Sequence, residues 1–357
     1  MKAITVVPGK SGVTLVDIPD VPVEGQVKVR TLHTGVCGTD REIVSGRLGI
    51  VRAEKGDTLV LGHEAVGIVE EAPGQSGFAK GDAVVPMVRR PGGCINCRNN
   101  RQDYCIDGKF TEAGIRGKDG FMREFFYELP EFLIKISDPA NAHTCVLTEP
   151  TKNIMKILEA VTIASKRSLW ELSGNLENKG VWIFGTGAEG MLCAAVFKNA
   201  GAKVMLVNRR SANEVESKVI ERIGCGFFDS SSGDWDSAMN SVPMDMAIDM
   251  VGVPEVFEGA VPRLNRNGII VLFGTGGEGR MSQFDGTSIV KIVDKNATVL
   301  GCEDGARQHY EKAVKFIEEN RERYGLDGII TGHSSSADLD VLMKKSSNEI
   351  KNVIDWQ

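Results

Sequence analysis

No apolar run in this 357-residue sequence is long enough to span a bilayer. The opening MKAITVV also lacks the charged-then-apolar build of a secretory signal. Neither export nor membrane insertion is expected, and the chain reads as cytoplasmic. Positive charge is not in excess: a net charge of -6 gives no general attraction to nucleic acid or anionic lipid. Cysteine is too thinly spread for a secreted disulfide scaffold, with eight thiols in the whole chain. Internal repeats and low-complexity segments are missing as well.

What is present is the balance of a soluble globular protein, 42% apolar and 25% charged, in a length that suits two domains, and an enzyme or a metal-binding regulator is expected. Up to about residue 150, short alternating runs such as QVKVRTLHTGVC and VGIVEE are separated by glycine and proline turns. That pattern predicts a β-rich domain. From about residue 180 the rhythm changes to buried strand runs (VWIFG, KVMLV, MDMAIDMVG, GIIVLFG) alternating with helix signals such as EGMLCAAVFKNAG. Alternation of this kind predicts a parallel, doubly wound sheet, so the fold class is α/β. The tail holds an amphipathic helix pattern, YEKAVKFIEENRERYG, and a closing strand pattern, EIKNVIDW.

GTGAEG, residues Gly185, Thr186, Gly187, Ala188, Glu189 and Gly190, follows a strand and opens a helix. Gly185 allows the tight turn, Gly187 lets backbone approach a pyrophosphate, and Gly190 allows close helix–strand packing. The helix N-terminus offers free N–H groups to the phosphates. An NAD site expects a carboxylate at the end of the next strand, for the ribose 2′-hydroxyl. Here that strand runs into Asn208, Arg209 and Arg210. Two guanidiniums suit a 2′-phosphate, so NADP is expected ahead of NAD.

The β-rich half also carries metal-ligating residue types: Cys37 in GVCGTD, His63 and Glu64 in LGHEAVG, and Glu149 in LTEP. Three such ligands with an open position make a catalytic zinc site. The remaining histidines, His33, His143, His309 and His333, read as members of ordinary hydrogen-bond networks. A separate stretch, RPGGCINCRNNRQDYC, holds Cys94, Cys97 and Cys105, whereas a closed structural zinc site wants four ligands.

GVCGTD, GHEAVG, GDAVVP, the cysteine lobe and GTGAEG, in this order, resemble the zinc-containing medium-chain dehydrogenase/reductase family over essentially the whole chain. Within it VRRP, TEAGI, DGFMREF, TEPTKN and VNRR are similar to the archaeal glucose 1-dehydrogenases. The resemblance implies a GroES-like catalytic domain of residues 1–153 completed by the tail 302–357. A Rossmann domain of residues 154–301 is inserted between them. It further implies that Cys37, His63 and Glu64 hold a catalytic zinc, with Glu149 as a direct or water-bridged ligand and Asp40 orienting His63. Alcohol dehydrogenases of this family often place a second cysteine near that glutamate; Cys145 is not at the matching place.

Thr39, Glu112, Glu149 and Asn153 match sugar-contacting positions, and Asp304 stands where relatives often have asparagine. Phe273, Gly274 and Thr275 join the cofactor contacts. The implied reaction is oxidation of an aldose, D-glucose foremost and D-galactose also, at C1 to the lactone. Thr39 would relay the hydroxyl proton, Glu149 or Glu112 would accept it, and NADP would take the hydride. The usual lobe reads Cys-x2-Cys-x2-Cys-x7-Cys, so the ligand absent here is the first, at Pro91. Asp107, in a glycine-containing turn after the last cysteine, is expected to replace it in preference to Asp103. That gives two zinc ions per chain, in a homo-oligomer, tetramer or dimer, with no nucleic-acid or membrane partner. The alternatives are a polyol or alcohol dehydrogenase of the same fold, an NADPH-binding sensor, or a zinc-ribbon module that binds nucleic acid.

Overall fold

The computed structural model describes residues 1–168, 176–276, 280 and 286–356. The chain divides into two compact units. One comprises Met1–Lys152, Gly305–Arg321 and Ile330–Gln357; the other comprises Asn153–Asp304 and Glu322–Ile329. Asn153, residues 302–304 and Glu322–Ile329 thus cluster with the second unit, although the expected limits put them in the first. Helices Thr148–Ser165 and Arg307–Tyr324 each run through a boundary, so no turn signal marks it.

The first unit is built on a seven-stranded sheet whose hub is the strand Val27–Val36. It pairs antiparallel with Glu64–Glu71 on one side, with Lys351–Asp355 on the other, and with Phe125–Glu128 near its start. The alternation legible in VKVRTLHTGV becomes alternating burial: Val27 and Val29 are fully covered and pack with Val69, Val84 and Phe126. Burying such a side chain contributes about 1.5–3 kcal/mol. Of the tail, Lys351–Asp355 forms the central strand next to the hub, and Ile330–Ser335 lies beyond it in parallel.

The second unit is a six-stranded parallel sheet. Its order is Gly226–Asp229, Lys203–Asn208, Gly180–Phe184, Met246–Asp249, Ile269–Leu272, Thr298–Gly301. This is the doubly wound order whose direction reverses beside the first strand, where the chain opens a crevice for a dinucleotide. Gly180–Phe184 is buried on both faces, as a continuous apolar run requires. Trp182 stacks on Trp235 with ring centroids 5.7 Å apart and meets Phe228 edge-on, closing one side of the core.

Candidate active site

The hub strand ends at Val36, and Cys37 turns the chain in extended conformation into the short helix Gly38–Val44. The Cys37 backbone N–H donates to Asp40 Oδ2 at 2.8 Å, which holds the turn. Asp40 is fully buried, and its other oxygen lies 3.3 Å from His63 Nδ1. One carboxylate therefore shapes the Cys37 turn and orients the imidazole, leaving Nε2 as the ring nitrogen for a metal. Cys37, His63 and Glu64 bring one ligand atom each within 4.8 Å of one another. Burial alone would pull the His63 imidazole down, but the Asp40 carboxylate and the Cys37 thiol push it well above its ordinary value. Thiolate, imidazole and carboxylate form a donor set that fits zinc.

Glu64 reaches this cluster because Gly35, its cross-strand partner, has no side chain. A Cβ at Gly35 would stand 2.0 Å from Glu64 Oε2. Both Glu64 oxygens lie 2.7 Å from the buried Lys351 Nζ, which the sequence reading did not single out. Glu149 sits at the start of the helix Thr148–Ser165 and pairs with Lys152 Nζ at 3.1 Å. It does not join the three ligands in a common cluster; the buried lysine one turn along the helix draws its carboxylate instead. Thr39 is half-buried, with Oγ1 3.9 Å from Cys37 Sγ.

Glu112 is buried and bound by Arg89 through contacts of 2.9 and 3.1 Å. Arg89 is in turn stacked on Phe110 at 3.8 Å from the ring centroid. Asn153 and Asp304 fall in the second unit, both buried. Asn153 Nδ2 donates to Glu189 Oε1 at 3.1 Å, and Asp304 adopts the left-handed φ of 55°.

In the second unit the loop after Gly180–Phe184 has the form its glycines require. Gly185 has φ of 117°, and a Cβ on Gly190 would meet the Gly185 carbonyl oxygen at 2.1 Å. Gly187 caps the helix Ala188–Asn199. Asn208 Nδ2 donates to Thr186 Oγ1, and Thr186 Oγ1 donates to Glu216 Oε1. Arg210 also belongs to Glu216, at 2.6 and 2.8 Å, and so is committed to the capping box of helix Glu214–Ile223. Arg209, with Asn208, Ser230 and Trp235, lines a cleft at the ends of the strands. Of the expected arginine pair, only Arg209 faces that cleft. Phe273 and Gly274 are anchored through their N–H groups to the Asp249 carbonyl, at the end of the adjoining strand, and Thr275 follows.

The cysteine lobe closes on itself. Cys94 Sγ lies 3.5 Å from Cys97 Sγ and 4.0 Å from Cys105 Sγ. Asp107 Oδ1 is 3.0 Å from Cys105 Sγ, whereas Asp103 is turned away into an ion pair with Arg101 at 2.9 Å. Backbone N–H groups of Cys97 and Ile106 hold the Cys94 thiol down to about 7, and the Asp107 carboxylate pushes Cys105 up to about 11. The three thiols lie within 4.8 Å of one another, as ligands of one metal would, whereas Asp107 touches Cys105 without joining all three in a common cluster.

Residues 142–356 match the model of the glucose dehydrogenase C-terminus family, and residues 23–138 that of the alcohol dehydrogenase GroES-like domain. A glucose 1-dehydrogenase of Thermoplasma acidophilum is 37% identical, the alignment covering 100% of this chain and 99% of that one. One from Metallosphaera sedula is 36% identical over 100% and 99%. The chain belongs to the glucose 1-dehydrogenases of the zinc-containing medium-chain family. A glucose dehydrogenase of this family from Haloferax mediterranei, solved in complex with NADP, Zn and gluconolactone, is 28% identical. It superposes with a TM-score of 0.88, covering 100% of this chain and 99% of that one.

Family membership leaves residues around the site that motif reading missed. Lys351, Lys152 and Arg89 each pair with a carboxylate of the expected site; Arg89 and Lys152 stand inside VRRP and TEPTKN, which give them no role, and Lys351 stands in no motif. Trp235 and Ser230 line the dinucleotide cleft, and nothing near them in sequence signals it.

Proposed function

We propose that this protein oxidises D-glucose, and D-galactose also, at C1 to the aldonolactone, passing hydride to NADP in a zinc-dependent reaction. The observation that carries the reading is the convergence of Cys37, His63 and Glu64 within 4.8 Å in a chain of this family. Cys37, His63 and Glu64 would hold the zinc. Bound zinc supplies Lewis acidity to the C1 hydroxyl, and the nicotinamide is the hydride acceptor.

The chain's own groups do the rest. Thr39 relays the hydroxyl proton outward, and Glu149, 3.1 Å from Lys152 Nζ, accepts it. Glu112, locked by Arg89, accepts hydrogen bonds from sugar hydroxyls. Initial rates with glucose, galactose, sorbitol and ethanol, each with NADP and NAD, test the assignment. Aldoses with NADP should lead; faster turnover of sorbitol or ethanol would replace it with a polyol or alcohol dehydrogenase.

The cofactor assignment gives a divided expectation for the two arginines. Arg209→Ala should raise the NADP KM by roughly 10- to 100-fold while barely moving NAD, because one charge-assisted contact is worth about 1.5–3 kcal/mol. Arg210→Ala should instead lower thermal stability through Glu216, with a smaller change in the NADP KM. Equal losses with both cofactors in Arg209→Ala would overturn the 2′-phosphate role.

For the lobe, Cys94, Cys97, Cys105 and Asp107 would hold a second zinc that stiffens the loop and takes no part in hydride transfer. Metal analysis should find two zinc ions per chain, falling to one in Asp107→Ala. That variant's Tm should drop on the order of 5 °C, with kcat little changed. Retention of both metals would remove Asp107 from the ligand set. A homo-oligomer is supported by the exposed apolar side chains Ile289, Val290 and Val293 on helix Gly286–Asp294, and Val299 on the edge strand Thr298–Gly301.

A further inference from the structure

Three of the chain's five histidines meet in the first unit, apart from the ligands already described. The strand register brings them together. His33 on Val27–Val36 is paired directly with Asp355 on Lys351–Asp355, so both side chains stand on one face of the sheet. His333, on the neighbouring parallel strand, is in register with Val353, two residues before Asp355, and so projects from that same face. His143, at the cap of the turn Thr144–Leu147, lies against both rings. Its ring is edge-on to His33 at 4.9 Å and stacked with His333 at 5.2 Å.

We propose that this cluster is a peripheral site for a borderline divalent transition metal such as Zn2+, Ni2+ or Cu2+, held between His33 Nε2 and His143 Nδ1. These two nitrogens are 3.4 Å apart. Two imidazole nitrogens each about 2.0–2.1 Å from one tetrahedral metal stand roughly 3.3–3.4 Å apart, so the pair already has the spacing of a ligand edge. The tautomer agrees with this use. Asp355 Oδ1 lies 2.7 Å from His33 Nδ1 and accepts its proton, which leaves the lone pair on Nε2. A carboxylate behind a histidine in this way fixes ring orientation and raises its basicity toward a metal.

His333 supplies the adjustable edge. Its Nδ1 is 3.1 Å from Asp355 Oδ2, and its side chain is 46% exposed, so it can rotate to offer a third nitrogen without repacking a core. The site is thus suited to a loosely held ion, unlike the buried Cys37, His63 and Glu64 set. By joining the tail strands to the turn before Thr148–Ser165, it would clamp three distant segments of the unit.

Titration of the zinc-loaded, full-length protein with Ni2+ by calorimetry, with metal content followed by mass spectrometry, decides the matter. The parent should take up one further equivalent of Ni2+, and His143→Gln should lose it. Asp355→Asn should bind about 10–100-fold more weakly, the usual effect of removing the carboxylate behind a ligating histidine. The exposed His333→Gln, which carries little folding risk, should weaken binding without changing zinc content or glucose turnover. No further equivalent in the parent, or unchanged uptake in both histidine variants, would overturn the site and leave a hydrogen-bonded imidazole pair.

Discussion

His63→Ala is expected to abolish glucose oxidation while leaving NADPH binding at its parental affinity. The imidazole supplies the only nitrogen of the donor set, and its loss leaves thiolate and carboxylate to hold a metal. It also leaves Asp40, fully buried, facing a cavity in place of a ring nitrogen at 3.3 Å. A loss of at least about 10³-fold in kcat/KM corresponds to about 4 kcal/mol of transition-state stabilisation. The dinucleotide loop belongs to the other unit, so fluorescence titration with NADPH should be unaffected. Asp40 Oδ2 still accepts from the Cys37 N–H, so the turn itself should survive, and an unchanged circular dichroism spectrum checks this. Activity within about tenfold of the parent would mean that a metal bound at His63 is not the electrophile.

How much of this was legible in the sequence depends on how local the signal is. The four inner strands of the parallel sheet were legible because each carries a short apolar run, whereas the edge strands Gly226–Asp229 and Thr298–Gly301 do not; the loop Gly185–Gly190 lies between a strand and a helix signal. The first unit was legible only as β-rich. Its central pairing joins Lys351–Asp355 to Val27–Val36 across more than 300 residues, and neither run carries a mark that names its partner. Two of the unit boundaries, at 152/153 and 321/322, fall inside continuous helices, where periodicity does not change and the sequence carries no mark.

The same distinction divides the site. Cys37, His63 and Glu64 stood out because they sit in glycine-flanked motifs, and the glycines have a reason: Glu64 needs the empty space above Gly35. Arg209 and Arg210 were indistinguishable as residue types. What separates them is Glu216, six residues on, whose capping box with Asn213 also captures Arg210. Asp103 and Asp107 are separated similarly, since Arg101 occupies the former. His33, His143 and His333 were read as ordinary polar residues because nothing in one dimension places them within a ring's width of each other.

Lys351→Met should weaken the metal-free protein severely and the zinc-loaded protein far less. In the structure both Glu64 oxygens rest on Lys351 Nζ at 2.7 Å, with the two side chains only 1% and 5% exposed. Methionine fills nearly the same volume without the charge, so the buried carboxylate loses its cation while packing is retained. Breaking such a pair from one side costs about 3–5 kcal/mol. A zinc ion held by Cys37, His63 and Glu64 would return a positive charge to that carboxylate, so the deficit should narrow once metal is bound. Linkage then requires the variant to bind zinc more tightly at this site than the parent does. Denaturant unfolding of chelated and reloaded protein, alongside competition with a chromogenic chelator, measures both halves of the cycle. Zinc lost from the cysteine lobe affects parent and variant alike and cancels. Glu64→Gln in the Lys351→Met background should recover most of the lost stability of the chelated form, because the uncompensated charge is gone. An equal loss with and without metal, and no recovery from Glu64→Gln, would reduce Lys351 to a packing residue and leave the affinity of the site set by its three ligands alone.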